Sequence, residues 1–164
     1  MRGNLLALLF AALLTGCVTS PTIPRTGRAF PANALITQRG ILTARGRQFP
    51  LNGYLSLSET GGMRLIVTEN FGSVMADVLV RRDGTVRVMR SSPAFRPAWI
   101  ERFMAADLKC IFGDAPEKQC PGQMLSPTHF VIERRWYKLD LQIVETKPGP
   151  QRAELFDETK AEKR

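Results

Sequence analysis

From residue 36 to residue 89 apolar and polar residues take turns, the period of strands with one buried face. Ile36, Leu42 and Ala44 share one side of a first segment, 36–44, with Thr37, Arg39 and Thr43 on the other. In 48–58, Phe49, Leu51, Leu55 and Leu57 lie opposite Asn52, Ser56 and Ser58. Met63, Leu65 and Val67 continue a third strand, Val74, Ala76, Val78 and Val80 a fourth, and 86–89 a fifth. Glu59-Thr60-Gly61-Gly62, Asn70-Phe71-Gly72 and Arg82-Asp83-Gly84 stand between them. Each is a turn signal, because glycine adopts positive φ freely. Strands that follow one another at this spacing pair antiparallel.

At Ser91 the period changes. Trp99, Ile100, Phe103, Met104, Leu108, Ile111 and Phe112 fall on one wide helical stripe,. Ser92 or Arg96 precedes a proline suited to a first helical turn, and Gly113 ends the helix. Glu101, Arg102, Asp107 and Lys109 are expected on its polar face. Strands resume at 129–134 and 136–145, where Tyr137, Leu139, Leu141 and Ile143 share a face. Lys147-Pro148-Gly149-Pro150 reads as a turn, 152–156 as one last edge strand, and the charged run 157–164 as a frayed tail. The expected fold is mainly β, of the α+β kind. It is an incomplete antiparallel barrel or strongly curved sheet covered by one amphipathic helix.

The first residues have a different character. Leu5 to Leu14 is an unbroken apolar run behind Arg2. Ten residues are too short for a membrane span, which needs about 20. A basic start, a short apolar core and a small-residue exit describe an export signal. Leu14-Thr15-Gly16-Cys17 resembles the processing site of bacterial lipoproteins. That resemblance implies cleavage after residue 16, a diacylglyceryl thioether on Cys17 and acylation of its amine. Val18 stands where inner-membrane lipoproteins of enterobacteria carry Asp, so the resemblance implies an outer-membrane anchor facing the periplasm. Residues 17–33 hold Pro21, Pro24 and Pro31 without apolar periodicity, as a flexible tether would,.

Composition fits one domain. The chain has 164 residues, 44% hydrophobic and 23% charged, with a formal net charge of +8. Such basicity implies an anionic partner. Export points to lipid headgroups, not nucleic acid, and Arg81, Arg82, Arg87, Arg90, Arg134 and Arg135 are candidates for such a patch or for an ordinary solvated face. With Cys17 acylated, Cys110 and Cys120 remain, and an oxidising periplasm permits a disulfide between them. The alternatives are two unpaired buried thiols, or a nucleophilic Cys110 with His129, the only histidine, as its base. The chain lacks Gly-x-Ser-x-Gly, P-loop, His-Glu-x-x-His and dinucleotide motifs,. No catalytic residue, metal or cofactor is expected, and a monomer is.

Three segments carry a resemblance to a family. They are Phe49-Pro50-Leu51-Asn52-Gly53, then 65–72 (Leu-Ile-Val-Thr-Glu-Asn-Phe-Gly) with Asp83-Gly84, and the helix end Ile111-Phe112-Gly113. On a tethered strand meander with one helix, they resemble the LolA/LolB lipoprotein-localisation fold, nearest the small LolB-related lipoproteins. The resemblance implies an apolar cavity for acyl chains of a lipid or a lipoprotein cargo. Leu55, Leu65, Trp99, Phe103, Met104 and Leu141 are its candidate lining. It also implies that Phe71, at the position of an exposed apolar loop residue, touches membrane or cargo. The alternatives are a filled core in a structural or assembly lipoprotein that docks a protein partner, and a Phe71 folded back onto its own strand.

Overall fold

The computed structural model describes residues 21–24 and 30–156. The signal segment, Cys17 and the tail 157–164 lie outside them. Eight strands form one antiparallel sheet: β1 (Ala34–Ala44), β2 (Arg47–Leu57), β3 (Met63–Thr68), β4 (Val74–Val80), β5 (Val86–Ser91), β6 (Gly122–Ser126), β7 (His129–Arg134) and β8 (Tyr137–Pro148). Their order is β5-β4-β3-β2-β1-β8-β7-β6. The sheet is curved but not closed into a barrel, and β5 and β6 are its edges.

The expected alternation builds the inner face. Ile36 pairs with Leu55, Leu55 with Leu65, and Leu65 with Val78. Across the other half, Leu42 pairs with Leu139, and Leu139 with Ile132. Such rows are the units of sheet stabilisation. A helix, α1, runs over 97–112 and covers this face. Arg96, in an extended conformation, precedes it and Pro97 opens it. Its middle turn, Ile100–Met104, is π-wound, with the Ala105 amide bonded to the Ile100 carbonyl. Asp107, expected on the polar face, is instead buried at 4% exposure. It stands at i+4 from Phe103 and i+3 from Met104, on the apolar stripe itself,.

Several segments differ from the sequence expectation. β6 carries only Met124 and Leu125 as large apolar residues, too few to show a period. It holds because Gly122 lies against β7. At φ 141° any Cβ there would sit 2.1 Å from the Val131 carbonyl oxygen. Trp136 belongs to the β7–β8 turn, and Lys147 and Pro148 continue β8 opposite Leu35 and Ala34. Pro148 is tolerated there as the last residue of its strand. Residues 152–156 add no edge strand. Ala153–Phe156 is a 3-10 turn, its Leu155 carbonyl bound by Arg64 Nη1 at 2.8 Å. Beyond Gln142 β8 pairs with β1 alone, but the segment lies against β3, where Arg64 holds it.

The described part of the segment read as a flexible tether is docked. Thr22 bridges to Pro121, Ile23 donates to the Cys120 carbonyl at 2.9 Å, and Ile23 is fully buried. Phe30 packs on Phe112, with ring centroids 4.8 Å apart. Two isolated apolar residues leave no periodic signal, yet each fills a gap beside the helix.

Cys110, near the end of α1, is joined to Cys120 across a Cα–Cα distance of 5.3 Å. Replacing both by alanine should lower the unfolding free energy by roughly 2–3 kcal/mol, the loop-closure value for this separation. Urea titration measures it. In denaturant the unreduced chain should resist alkylation, and free labelling of both thiols would exclude the pairing.

Candidate functional site

The inner face and α1 do not close completely. Between them is a cavity of about 60 Å³. The sheet supplies Leu42, Leu51, Leu65 and Leu141, and the helix supplies Trp99, Met104 and Leu108. Of the six residues expected to line it, Leu65, Trp99, Met104 and Leu141 do so. Leu55 is fully buried in the sheet's apolar rows and does not reach the lining. Phe103 stands outside too, edge-on to Tyr137 at 6.0 Å and beneath the Arg102 guanidinium. A volume of 60 Å³ exceeds the ~10–15 Å³ that one water needs,. It is far below the ~300 Å³ of a small ligand pocket. An acyl chain enters only if α1 lifts from the sheet.

Asp107, Tyr137, Gln38 and Asn52 interrupt the apolar lining. Asp107, on α1, is held by two groups from the sheet. The Tyr137 hydroxyl donates to its Oδ2, and Arg134 Nε donates to its Oδ1 at 2.8 Å. Arg134 Nη2 lies 2.7 Å from Oδ1 as a charge contact without hydrogen-bond geometry. Burial pushes the Asp107 pKa up, while Tyr137 and Arg134 pull it down. Burial, then the Asp107 charge, pushes the Tyr137 phenol well above its ordinary range, so it stays protonated and donates. This cluster latches the helix to the sheet.

Gln38 is the third interruption. It occupies an inward position of β1 between Ile36 and Gly40, opposite Gly53. Its amide lies over Gly53, where a Cβ would meet Gln38 Cγ and Nε2 at 2.6 Å. Gln38 is 4% exposed and its Oε1 has no hydrogen-bond partner. An unpaired buried acceptor costs about 1–3 kcal/mol. A glutamine breaking an apolar alternation was the one sequence signal for it. Asp107 carried one as well, its i+3 and i+4 spacing from Met104 and Phe103, whereas Arg134 left none, because only the fold brings β7 to the helix,.

The sheet has two unlike ends. Because each strand reverses the last, the turns β1–β2, β3–β4 and β7–β8 share one end. They present Arg45 and Arg47, then Phe71, then Arg135 and Trp136. Phe71 is 95% exposed at its hairpin tip and Trp136 is 65% exposed, with the Arg135 guanidinium 4.7 Å from its ring. Phe71 therefore does not fold back onto its strand. The other end carries Ser58 to Gly62, Arg81 to Gly84 and Ser126 to Thr128, turns without a large apolar residue. His129 bonds to Asp140 at 2.8 Å, and Cys110 is in the disulfide.

The chain matches no known protein-family model, and no curated protein sequence matches it. Among the described residues, no helix is long and apolar enough to cross a membrane.

Charge in the latch has a pH signature. Since burial raises the Asp107 pKa, the folded chain holds this proton more tightly than the unfolded chain. Its contribution to stability is thus full below the ordinary carboxylate value of about 3.9 and is lost as pH rises through the folded value. Arg134→Leu removes the counterion and should cost roughly 3 kcal/mol at neutral pH. That loss should shrink as pH falls through the raised Asp107 pKa and the carboxylate takes up a proton,. A loss that urea titrations find independent of pH would mean that packing, not charge, holds the helix here.

Proposed function

We propose that this chain is a lipoprotein of the outer membrane, facing the periplasm, that binds a hydrophobic ligand. The ligand is an acyl chain of a lipid or of a lipoprotein in transit, as the resemblance to LolB implies. No bond chemistry is part of this reading. The observation that carries it is the apolar cavity beneath a single helix, opened by the same motion that would break one latch.

The exposed rim supports it. Phe71 and Trp136 lie at one end of the sheet beside Arg45, Arg47 and Arg135. Aromatic rings among arginines suit a bilayer interface: the rings enter the headgroup layer, and each cation adds about 1 kcal/mol near an anionic surface. Thr22 is fixed next to Pro121, whose carbonyl accepts from Glu133 near this same end. Cys17 precedes Thr22 by five residues, a reach of at most about 18 Å,. An acylated Cys17 would hold the aromatic rim toward its own membrane.

The cavity's small volume favours a second reading, an assembly lipoprotein with an essentially filled core whose rim docks a protein. Native mass spectrometry of the Cys17→Ser chain, purified without detergent, separates the two. Co-purified lipid supports ligand binding. A bare polypeptide that also refuses a neutral fluorescent acyl probe supports the docking protein.

Two variants test the parts. Cys17→Ser should release the protein into the soluble periplasm, and its persistence with outer membranes at high salt would end the anchor reading. Phe71→Glu should leave the melting temperature nearly unchanged, because an exposed turn side chain contributes little to packing. It should also abolish ligand delivery to liposomes, and undiminished delivery would remove Phe71 from the mechanism.

A further inference from the structure

The apolar cavity contains one hydrogen-bonding group that the fold leaves unused. Gln38 is 4% exposed, lines the cavity, and has an Oε1 without a partner. Its neighbours along the inner face of β1 are Ile36 and Gly40, followed by Leu42. A leucine in its place would complete the apolar row and leave no acceptor stranded. Gly53, directly opposite, provides the room in which the amide lies. A buried acceptor without a donor costs stability, and a donor carried by a molecule in the cavity would remove that cost.

We propose that Gln38 recognises the ligand, and that the ligand is a neutral chain carrying a hydrogen-bond donor, a hydroxyl or an amide N–H. This rests on the ligand-binding reading and specifies its chemistry. The donor completes the Gln38 amide while the attached carbons fill the space between Trp99, Met104 and Leu141. The cavity has room for the polar group and the adjoining carbons. The rest of the chain needs α1 to rise.

A carboxylate is disfavoured at this site. The cavity lining holds no Lys, Arg or His among the described residues. Its one charged side chain is Asp107, already engaged by Tyr137 and Arg134. An anion entering there would lose its water and gain only a neutral amide beside a second carboxylate.

Binding can be read from Trp99 fluorescence, in a Trp136→Phe background of the Cys17→Ser chain. The probes are 1-decanol, its isomer methyl nonyl ether, decanamide and decanoate. Decanol and decanamide should bind about tenfold more tightly than the ether, the usual gain from one buried hydrogen bond. Decanoate should bind more weakly than decanol. Gln38→Met keeps the side-chain length without the amide. It should bring decanol to the affinity of the ether and leave the ether unchanged. Equal affinity of decanol and ether in the parent chain would overturn the proposal without any variant, as would a decanol preference that survives Gln38→Met. If none of the four probes binds, the ligand-binding reading falls as well.

Discussion

The architecture turns on how the chain passes from one edge of its sheet to the other. Five strands are laid down in sequence from β1 outward to β5. The last three return inward from the opposite edge, β6, until β8 pairs with β1. The connection between β5 and β6 must therefore span the full width of the sheet. Across a curved sheet the short route lies over the concave face, which is apolar and needs a cover. Helix α1 is that route, so one covalent constraint both shields the core and creates the cavity. The disulfide and the docked residues Ile23 and Phe30 then hold the far side of the connection, between α1 and β6.

A cover made by a single helix can move if few bonds hold it. The side-chain hydrogen bonds that tie α1 to the sheet are those of Asp107 with Tyr137 and Arg134, and that of Lys109 Nζ to the Gly84 carbonyl at 2.9 Å. Burial opposes the carboxylate charge more than Tyr137 and Arg134 support it, so the Asp107 pKa stands above its ordinary value. The other buried polar group in the cavity, Gln38, is not part of the latch. In an interior otherwise patterned for packing, these are the two places where local preference is violated. Such violations concentrate at functional sites. The proposed ligand chemistry and the proposed lid motion therefore meet in the same small volume.

The unlike ends of the sheet follow from its antiparallel order. Odd-numbered turns fall at one end and even-numbered turns at the other. Phe71 and Trp136, 65 residues apart in the chain, thus reach the same rim. With the segment at Thr22 fixed near that rim, the proposed acyl anchor, the aromatic pair and the cavity would all face one way.

Much of the fold was legible from the chain. Period-two alternation marked β1 to β5 and β8, because a half-buried strand writes its two faces into successive residues; 129–134 was also read as a strand. The helical stripe from Trp99 to Phe112 marked the cover, and Leu65, Trp99, Met104 and Leu141 were recognisable as inward residues. Features that depend on contact between distant segments were not legible. β6 is held by a glycine lying against β7, the 152–156 segment is held by Arg64 of β3, and Ile23 is buried by what surrounds it. Asp107 was assigned to solvent because it is charged, although its spacing from Phe103 and Met104 sets it on the stripe,. The helix carries it inward, where Arg134 and Tyr137 make its burial tolerable. Local sequence determined which residues could face a core, since that is set by backbone period. Only the tertiary structure decided which polar residues stand among them, because burying a charge or an amide depends on partners that the chain brings from elsewhere.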